Sequence, residues 1–420
     1  MNSASSETSN AAAEPSNAAA PDAAAEPSDA PAGFEMHKTR VGMDDGRTLS
    51  YYDFAPRNQQ PPYLEAHQAA AREHPPTGPR VMPQPPEMRW NAPLGEWTVF
   101  APNRMSRVQL PSKDACPLCP GVLELPLPYQ VAVFENRSPS MSFVPSEVVF
   151  PEQQAAPDVT QRREPARGRC DLVVYSQKHA SKLAEMPVEE VYCLIEAWRD
   201  RYQELIALPE IEAVTIFENK GRDAGMTLDH PHGQIYSFPF LPPILQKQWE
   251  FSVQEAATST GASGWDRIID KELRDQERLI AQTPGFVAAM PYYARYPFEV
   301  HIWARRAGVS SLLEMQPQER RELAGVLKNV ICRYENLWPG SPFGFPTLML
   351  MQQMSKRPGS ERFRFHIEFL PLQRAPDKLK FRASVESGAG TFLNDSLPES
   401  QAALLRQAEP KAIALPNIVF

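Results

Sequence analysis

The chain has 420 residues, 42% of them hydrophobic, enough for one large or two fused domains, and a formal net charge of -8. That acidic balance excludes a nucleic-acid or anionic-membrane binder, which needs a concentrated positive field. No apolar run is long enough to span a bilayer, and the first 36 residues hold neither Lys nor Arg nor the apolar segment of a signal peptide. Five cysteines with one close pair do not make a secreted disulfide framework and fit a reducing cytoplasm.

Residues 1–33 are mostly Ala, Pro, Ser, Glu and Asn and read as a disordered tail, because they cannot bury enough surface to offset ordering. Residues 34–88 read as an extended N-terminal arm: a short hairpin around Thr48–Asp53, then a Pro- and Gln-rich stretch lying along the surface. The folded body is expected to begin near Arg89. Cys116-Pro117-Leu118-Cys119 has the gap that lets two thiolates reach one tetrahedral ion. A redox pair is the competitor, but Pro-rich flanks suit a helix N-terminus poorly. A strand is predicted at Cys170–Tyr175, and then Pro187 opens a helix whose Val188, Val191, Leu194, Ile195, Trp198, Tyr202 and Leu205 form one core-facing stripe.

A second strand is expected at Ala213–Phe217 and a third in Asp229-His230-Pro231-His232-Gly233-Gln234-Ile235-Tyr236, where His230 and His232 fall on one side of an extended backbone. A lone histidine in an apolar segment is usually a core residue; two at this spacing, followed by Gly and Gln, point to chemistry. Downstream the pattern repeats. Phe298–Trp303 reads as a strand, Leu312-Leu313-Glu314-Met315 echoes Leu183-Ala184-Glu185-Met186, and Arg333–Leu337 echoes Arg201–Leu205. Strands at Thr347–Met351 and Phe363–Phe369 complete the second copy. The expected fold is therefore α+β: two duplicated half-units, 89–242 and 243–420, forming one continuous antiparallel sheet flanked by helices.

Phe217-Glu218-Asn219-Lys220-Gly221 followed by His230–Gln234 resembles the galactose-1-phosphate uridylyltransferase branch of the histidine-triad superfamily, whose members carry a similar FENKG and HPHGQ. The resemblance runs from about Arg89 to Asp395 and implies two fused histidine-triad modules. It also implies exchange of UMP between UDP-glucose and galactose 1-phosphate through a uridylyl-histidine on His232. Gln234 stands where hydrolase relatives have a third histidine, and it donates hydrogen bonds without titrating near neutrality, which favours transfer over hydrolysis. Asn219, Lys220, Gly221 and Thr227 would face the phosphates.

By the same resemblance, His179 and His230 join Cys116 and Cys119 as ligands of one closed, structural zinc. Arg104 and Arg107 would grip the diphosphate, often from the partner subunit of a homodimer, and Asn136 would meet the nucleoside. Lys380, Phe381 and Glu386 would form the hexose-binding loop. Many relatives have Asp where this chain has Arg137, so an adenine nucleotide is the nearest rival donor; a catalytically inactive zinc-stabilised interaction protein is the rival of another class. Some relatives carry a second, iron-type site made of a glutamate and three histidines. With Gln246 and Gln248 near the glutamate position, His366 followed by Glu368, and Ala307 at the expected third histidine, that second metal is predicted absent. His37, His67, His74 and His301 read as structural or exposed.

Overall fold

The structure, a computed structural model, describes residues 34–76, 85–105, 116–122, 124–143, 161–258 and 263–410. The 1–33 tail and Arg107 lie outside them. In chain order the elements are a hairpin of β1 (Phe34–Gly42) and β2 (Thr48–Pro56), α1 (Leu64–Glu73), β3 (Glu87–Asn91), β4 (Glu96–Phe100), β5 (Val131–Glu135), β6 (Arg163–Pro165) and β7 (Arg169–Val174). After α2 (Val188–Ile206) come β8 (Ala213–Lys220), β9 (His232–Phe238), α3 (Pro243–Thr258) and α4 (Gly264–Asp275). The second half continues with β10 (Leu279–Gln282), β11 (Phe286–Ala289), β12 (Val300–Ala304), α5 (Pro317–Leu337), β13 (Thr347–Gln352), β14 (His366–Pro371) and α6 (Pro398–Gln407).

Eleven strands form one sheet in the order β1-β2-β5-β7-β9-β8-β13-β14-β12-β11-β10. Every neighbouring pair is antiparallel, with β8 and β13 as the seam. Reading outward from that seam, β8, β9, β7 and β5 are mirrored by β13, β14, β12 and β11, with α2 and α5 in equivalent places in the chain. The continuous antiparallel sheet and its helices are thus as the sequence led us to expect. The α2 stripe is buried as read, and Trp198, Leu194, Leu323, Val330 and Ile302 share one core on one face of the sheet. On the opposite face, Leu49, Tyr51, Leu118, Phe134 and Leu172 cluster beside Cys116, and Trp265 of α4 packs with Val287 and Trp303.

Two expectations for the arm need correction. The folded body already includes β1 and β2, well before Arg89, because β2 pairs with β5 and extends the main sheet. The stretch 56–87 is not simply extended: it contains α1, whose buried His67 accepts no solvent contact but bridges Asp53 Oδ2 (2.7 Å) and the Pro128 carbonyl (2.9 Å) while stacking on Tyr51 at 3.8 Å.

Candidate active site and metal centre

β9 lies between β7 and β8, so side chains on one of its faces sit in the middle of the first half-sheet. His232 pairs in register with Val174, and Gln234 with Leu172 and Phe217. Two residues apart, His232 and Gln234 share a face, and Ile235 points into the helix-covered core. His232 Nδ1 is 2.8 Å from the His230 carbonyl oxygen. A carbonyl only accepts, so Nδ1 carries the proton and Nε2 holds the lone pair.

The β8–β9 register also sorts the FENKG residues by face. Phe217 lies opposite Gln234, so Phe217 and Asn219 share the histidine face. Glu218 and Lys220 point the other way: Lys220 Nζ donates to the Gly344 carbonyl (3.2 Å) and forms an ion pair with Glu335 of α5. Lys220 therefore leaves β8 on the face away from His232, while the resemblance implied a phosphate contact for it. Gly221, with φ 88°, reverses the chain after β8, and its carbonyl accepts from the backbone N–H of Ala224 and Met226. Thr227 lies in the loop between this turn and β9.

Cys116, Cys119, His179 and His230 converge, with one ligand atom from each lying within 4.8 Å of the others. Cys119 Sγ is 3.5 Å from His179 Nδ1 and 3.7 Å from His230 Nδ1; Cys116 Sγ is 3.8 Å from His230 Nδ1. A backbone carbonyl fixes the tautomer: His230 Nε2 donates to the Ser176 carbonyl (2.7 Å), leaving Nδ1 free to bind a cation. Burial drops His230 to about 4 and pushes the Cys116 thiol up to about 11. A neutral imidazole is what a metal requires, and only a cation among the four would hold Cys116 as thiolate. Two sulfurs and two nitrogens, the four donors gathered here among the described residues, could hold a metal ion in a closed site. Sequence reading missed Tyr129, whose phenol donates to the Leu118 carbonyl (2.5 Å) and lies 3.2 Å from His230 Nε2; no local motif marks it.

The remaining predicted residues are engaged locally. Arg104 Nη1 donates to the Ser138 carbonyl (2.9 Å) from the turn after β4. Asn136 is buried, and its Oδ1 accepts from the Ser138 N–H (2.9 Å). Arg137 pairs with Glu124 at 2.6 Å. Lys380 and Glu386 do not stand apart for phosphate and sugar: Lys380 Nζ donates to Glu386 Oε1 (2.7 Å) and to the Leu393 carbonyl (2.6 Å), closing the 380–393 loop. Phe381 projects from it, 74% exposed.

In the second half, His366 repeats the geometry of His232, with Nδ1 2.8 Å from the carbonyl two residues back, at Arg364. The histidine that stacks beside it is His301, and Ala307 is not in its place: β12 and β14 pair His301 with Glu368, and the His301 and His366 rings lie 5.9 Å apart. Gln248, rather than Gln246, reaches them, donating to Glu368 Oε1 at 2.7 Å and lying 3.2 Å from His366 Nε2. Arg295 donates to Glu368 Oε2 (3.1 Å), and Glu299 accepts from His301 (2.8 Å).

The galactose-1-phosphate uridyl transferase family models match this chain in both halves, the N-terminal domain over residues 72–242 and the C-terminal domain over 251–414. The galactose-1-phosphate uridylyltransferase of Thermotoga maritima is 38% identical over 331 residues, covering 77% of this chain and 98% of its own. A solved uridylyltransferase superposes with a TM-score of 0.64 at 29% identity, covering 77% of this chain and 98% of its own. An ADP-glucose phosphorylase from Arabidopsis thaliana, solved with bound ADP-glucose, shares the fold at a TM-score of 0.56 and 20% identity, covering 77% of this chain and 99% of its own.

Proposed function

Since the chain belongs to the galactose-1-phosphate uridyl transferase family, we propose that it exchanges UMP between UDP-glucose and galactose 1-phosphate in two displacements on His232. The observation that carries the mechanism is the Nδ1-to-His230 carbonyl contact of 2.8 Å, which presents Nε2 as nucleophile. Nε2 bonds to the α-phosphorus, the bridging P–O bond breaks, and glucose 1-phosphate leaves with the electron pair. The cation left on the imidazole is stabilised through the Nδ1–H hydrogen bond. A phosphate oxygen of galactose 1-phosphate then attacks the same phosphorus, and His232 is released as UDP-galactose forms. Gln234 and Asn219, on the His232 face, and the Thr227 loop are the fixed donors for the non-bridging oxygens.

Cys116, Cys119, His179 and His230 would hold zinc, whose role is to lock His230 and, through Pro231, the strand that carries His232. In the second half Arg295 occupies the charge of Glu368, and Gln248 is neutral, which supports no second metal there. We further propose a homodimer in which the exposed Phe381 serves the partner's sugar site and Arg104 and Arg107 reach the diphosphate, in the cytoplasm; none of the five cysteines is paired in a disulfide, which suits a reducing compartment. Adenine donors are the second reading, favoured by Arg137 being an arginine tied to Glu124.

The test is the intact mass of the protein after brief mixing with UDP-glucose and again after galactose 1-phosphate, with His232→Gly as control. A uridylyl gain that galactose 1-phosphate discharges and the control lacks is expected. No gain with UDP-glucose but one with ADP-glucose would replace the donor; no gain with either would remove the covalent mechanism.

A further inference from the structure

Behind His232 and Gln234, on the helix-covered face of β9, Gly233 leaves a gap that the phenol of Tyr175 fills. A Cβ at residue 233 would lie 2.2 Å from Tyr175 Oη, 3.1 Å from its Cζ and 3.1 Å from the Phe217 carbonyl oxygen. Tyr175 is itself held on three sides. Its N–H donates to the Pro231 carbonyl (3.2 Å), its ring meets Trp198 edge-on at 5.8 Å, and its phenol donates to Glu218 Oε2 (3.1 Å). Glu218 lines a cavity of about 490 Å³ on this face. The charged groups around that cavity are Lys220 on its own strand, Glu335 on α5, Lys182 ahead of α2, and Arg222, Asp223 and Asp229 in the β8–β9 loop. Burial raises the Glu218 carboxyl to about 7, against the opposing pull of the Tyr175 hydrogen bond and of Lys220.

We infer that Tyr175 and Glu218 are positioning residues for the transfer: their hydrogen bond clamps the backbone at Gly233 and so sets where His232 and Gln234 stand relative to the phosphorus. The inference rests on the uridylyl-transfer reading of His232. His232 and Gln234 flank Gly233 directly, so a shift of this one peptide moves nucleophile and donor together. Removing the acceptor leaves a buried phenol unsatisfied, and the ring then has reason to leave the gap. A displacement of a fraction of an ångström slows chemistry without changing what binds.

The experiment uses the full chain, with kcat and KM measured for UDP-glucose and galactose 1-phosphate between about pH 6 and 9. Tyr175→Phe and Glu218→Ala are each expected to lower kcat about tenfold with KM unchanged. Glu218→Gln keeps an accepting oxygen, so it should retain kcat at high pH. Protonation of the Glu218 carboxyl near 7 likewise leaves it an accepting oxygen, so neither the wild type nor this variant should lose kcat through that step. Independently of turnover, Gly233→Ala should lower the unfolding midpoint, and adding Tyr175→Phe should restore part of it by removing the oxygen at 2.2 Å. Wild-type kcat in both Tyr175→Phe and Glu218→Ala overturns the clamp, as does failure of Tyr175→Phe to rescue Gly233→Ala. A wild-type protein that forms no uridylyl adduct would instead sink the transfer reading, and the rescue would still decide the clamp.

Discussion

Glu368 is a carboxylate 2% exposed in the middle of a sheet, and its charge is kept by what surrounds it. Burial works against ionisation, but the hydrogen bond with His366 and the charges beside it, Arg295 among them, outweigh burial and hold its pKa well below the usual range. Because the folded pKa is depressed, the stability this provides is present above the unfolded pKa and is lost as pH falls below it. Arg295→Met removes the guanidinium and leaves Glu368 and Glu299 without it, which should cost about 3 kcal/mol at neutral pH. The gap to wild type should narrow as the solution is acidified below about pH 4.5, where the orphaned Glu368 carboxylate can be protonated. Urea unfolding at two pH values checks this, and a pH-independent gap would mean the arginine acts through packing. At this scale the sequence was informative where chemistry is local. His230 and His232 are close neighbours in the chain, as are Cys116 and Cys119, and the spacing within each pair carries its geometry. The direction of Lys220 was not legible, because which face of β8 a residue takes depends on its register with β9, and no spacing within FENKG contains that register. His301 was passed over because its partners, Glu368 and His366, are more than sixty residues away in the chain and are brought to it by strand pairing.

The hairpin β1–β2 and α1 show the same limit one level up. Its alternating residues made a hairpin legible, but not the pairing of Leu49 with Phe134 or Tyr51 with Ala132, which joins it to the main sheet. The helix α1 was hidden by the proline and glutamine around it, although Ala69, Ala70 and Ala71 are good helix formers. The hairpin lies wholly before the residues that the family models match, which begin at 72. Its join to the body passes through His67, which ties Asp53 of β2 to the Pro128 carbonyl ahead of β5. His67→Ala would leave Asp53, fully buried, without its ring partner, at a cost on the order of 3 kcal/mol. Asp53→Asn combined with His67→Ala should recover part of that loss, since no charge is then stranded. If the double variant is as unstable as the single one in urea unfolding, the cost comes from the cavity left by the ring and not from the charge.

Across the whole molecule the two halves have the same strand plan but unequal chemistry. Both hold a histidine by the carbonyl two residues back, His232 at His230 and His366 at Arg364. Among the described residues the first has the Cys116, Cys119, His179 and His230 group beside it, while the second encloses its histidine with Gln248, Glu368 and Arg295. One half could therefore hold a metal next to the proposed nucleophile, and the other satisfies its buried charges within the protein. The proposed zinc ties the loop that carries Cys116 and Cys119 to the segment at His179 and to the start of β9, three regions separated in the chain, so its loss should be felt in folding and in catalysis together. Metal analysis of the purified protein should give one zinc per chain and no second metal. Cys119→Ser, or a strong chelator, should lower the unfolding midpoint by at least about 5 °C and slow formation of the uridylyl adduct on His232. A second tightly held metal would overturn the reading of the Gln248–Glu368–Arg295 cluster. Full stability and adduct formation after the zinc is removed would mean that Tyr129 and the Ser176 carbonyl hold His230 without it.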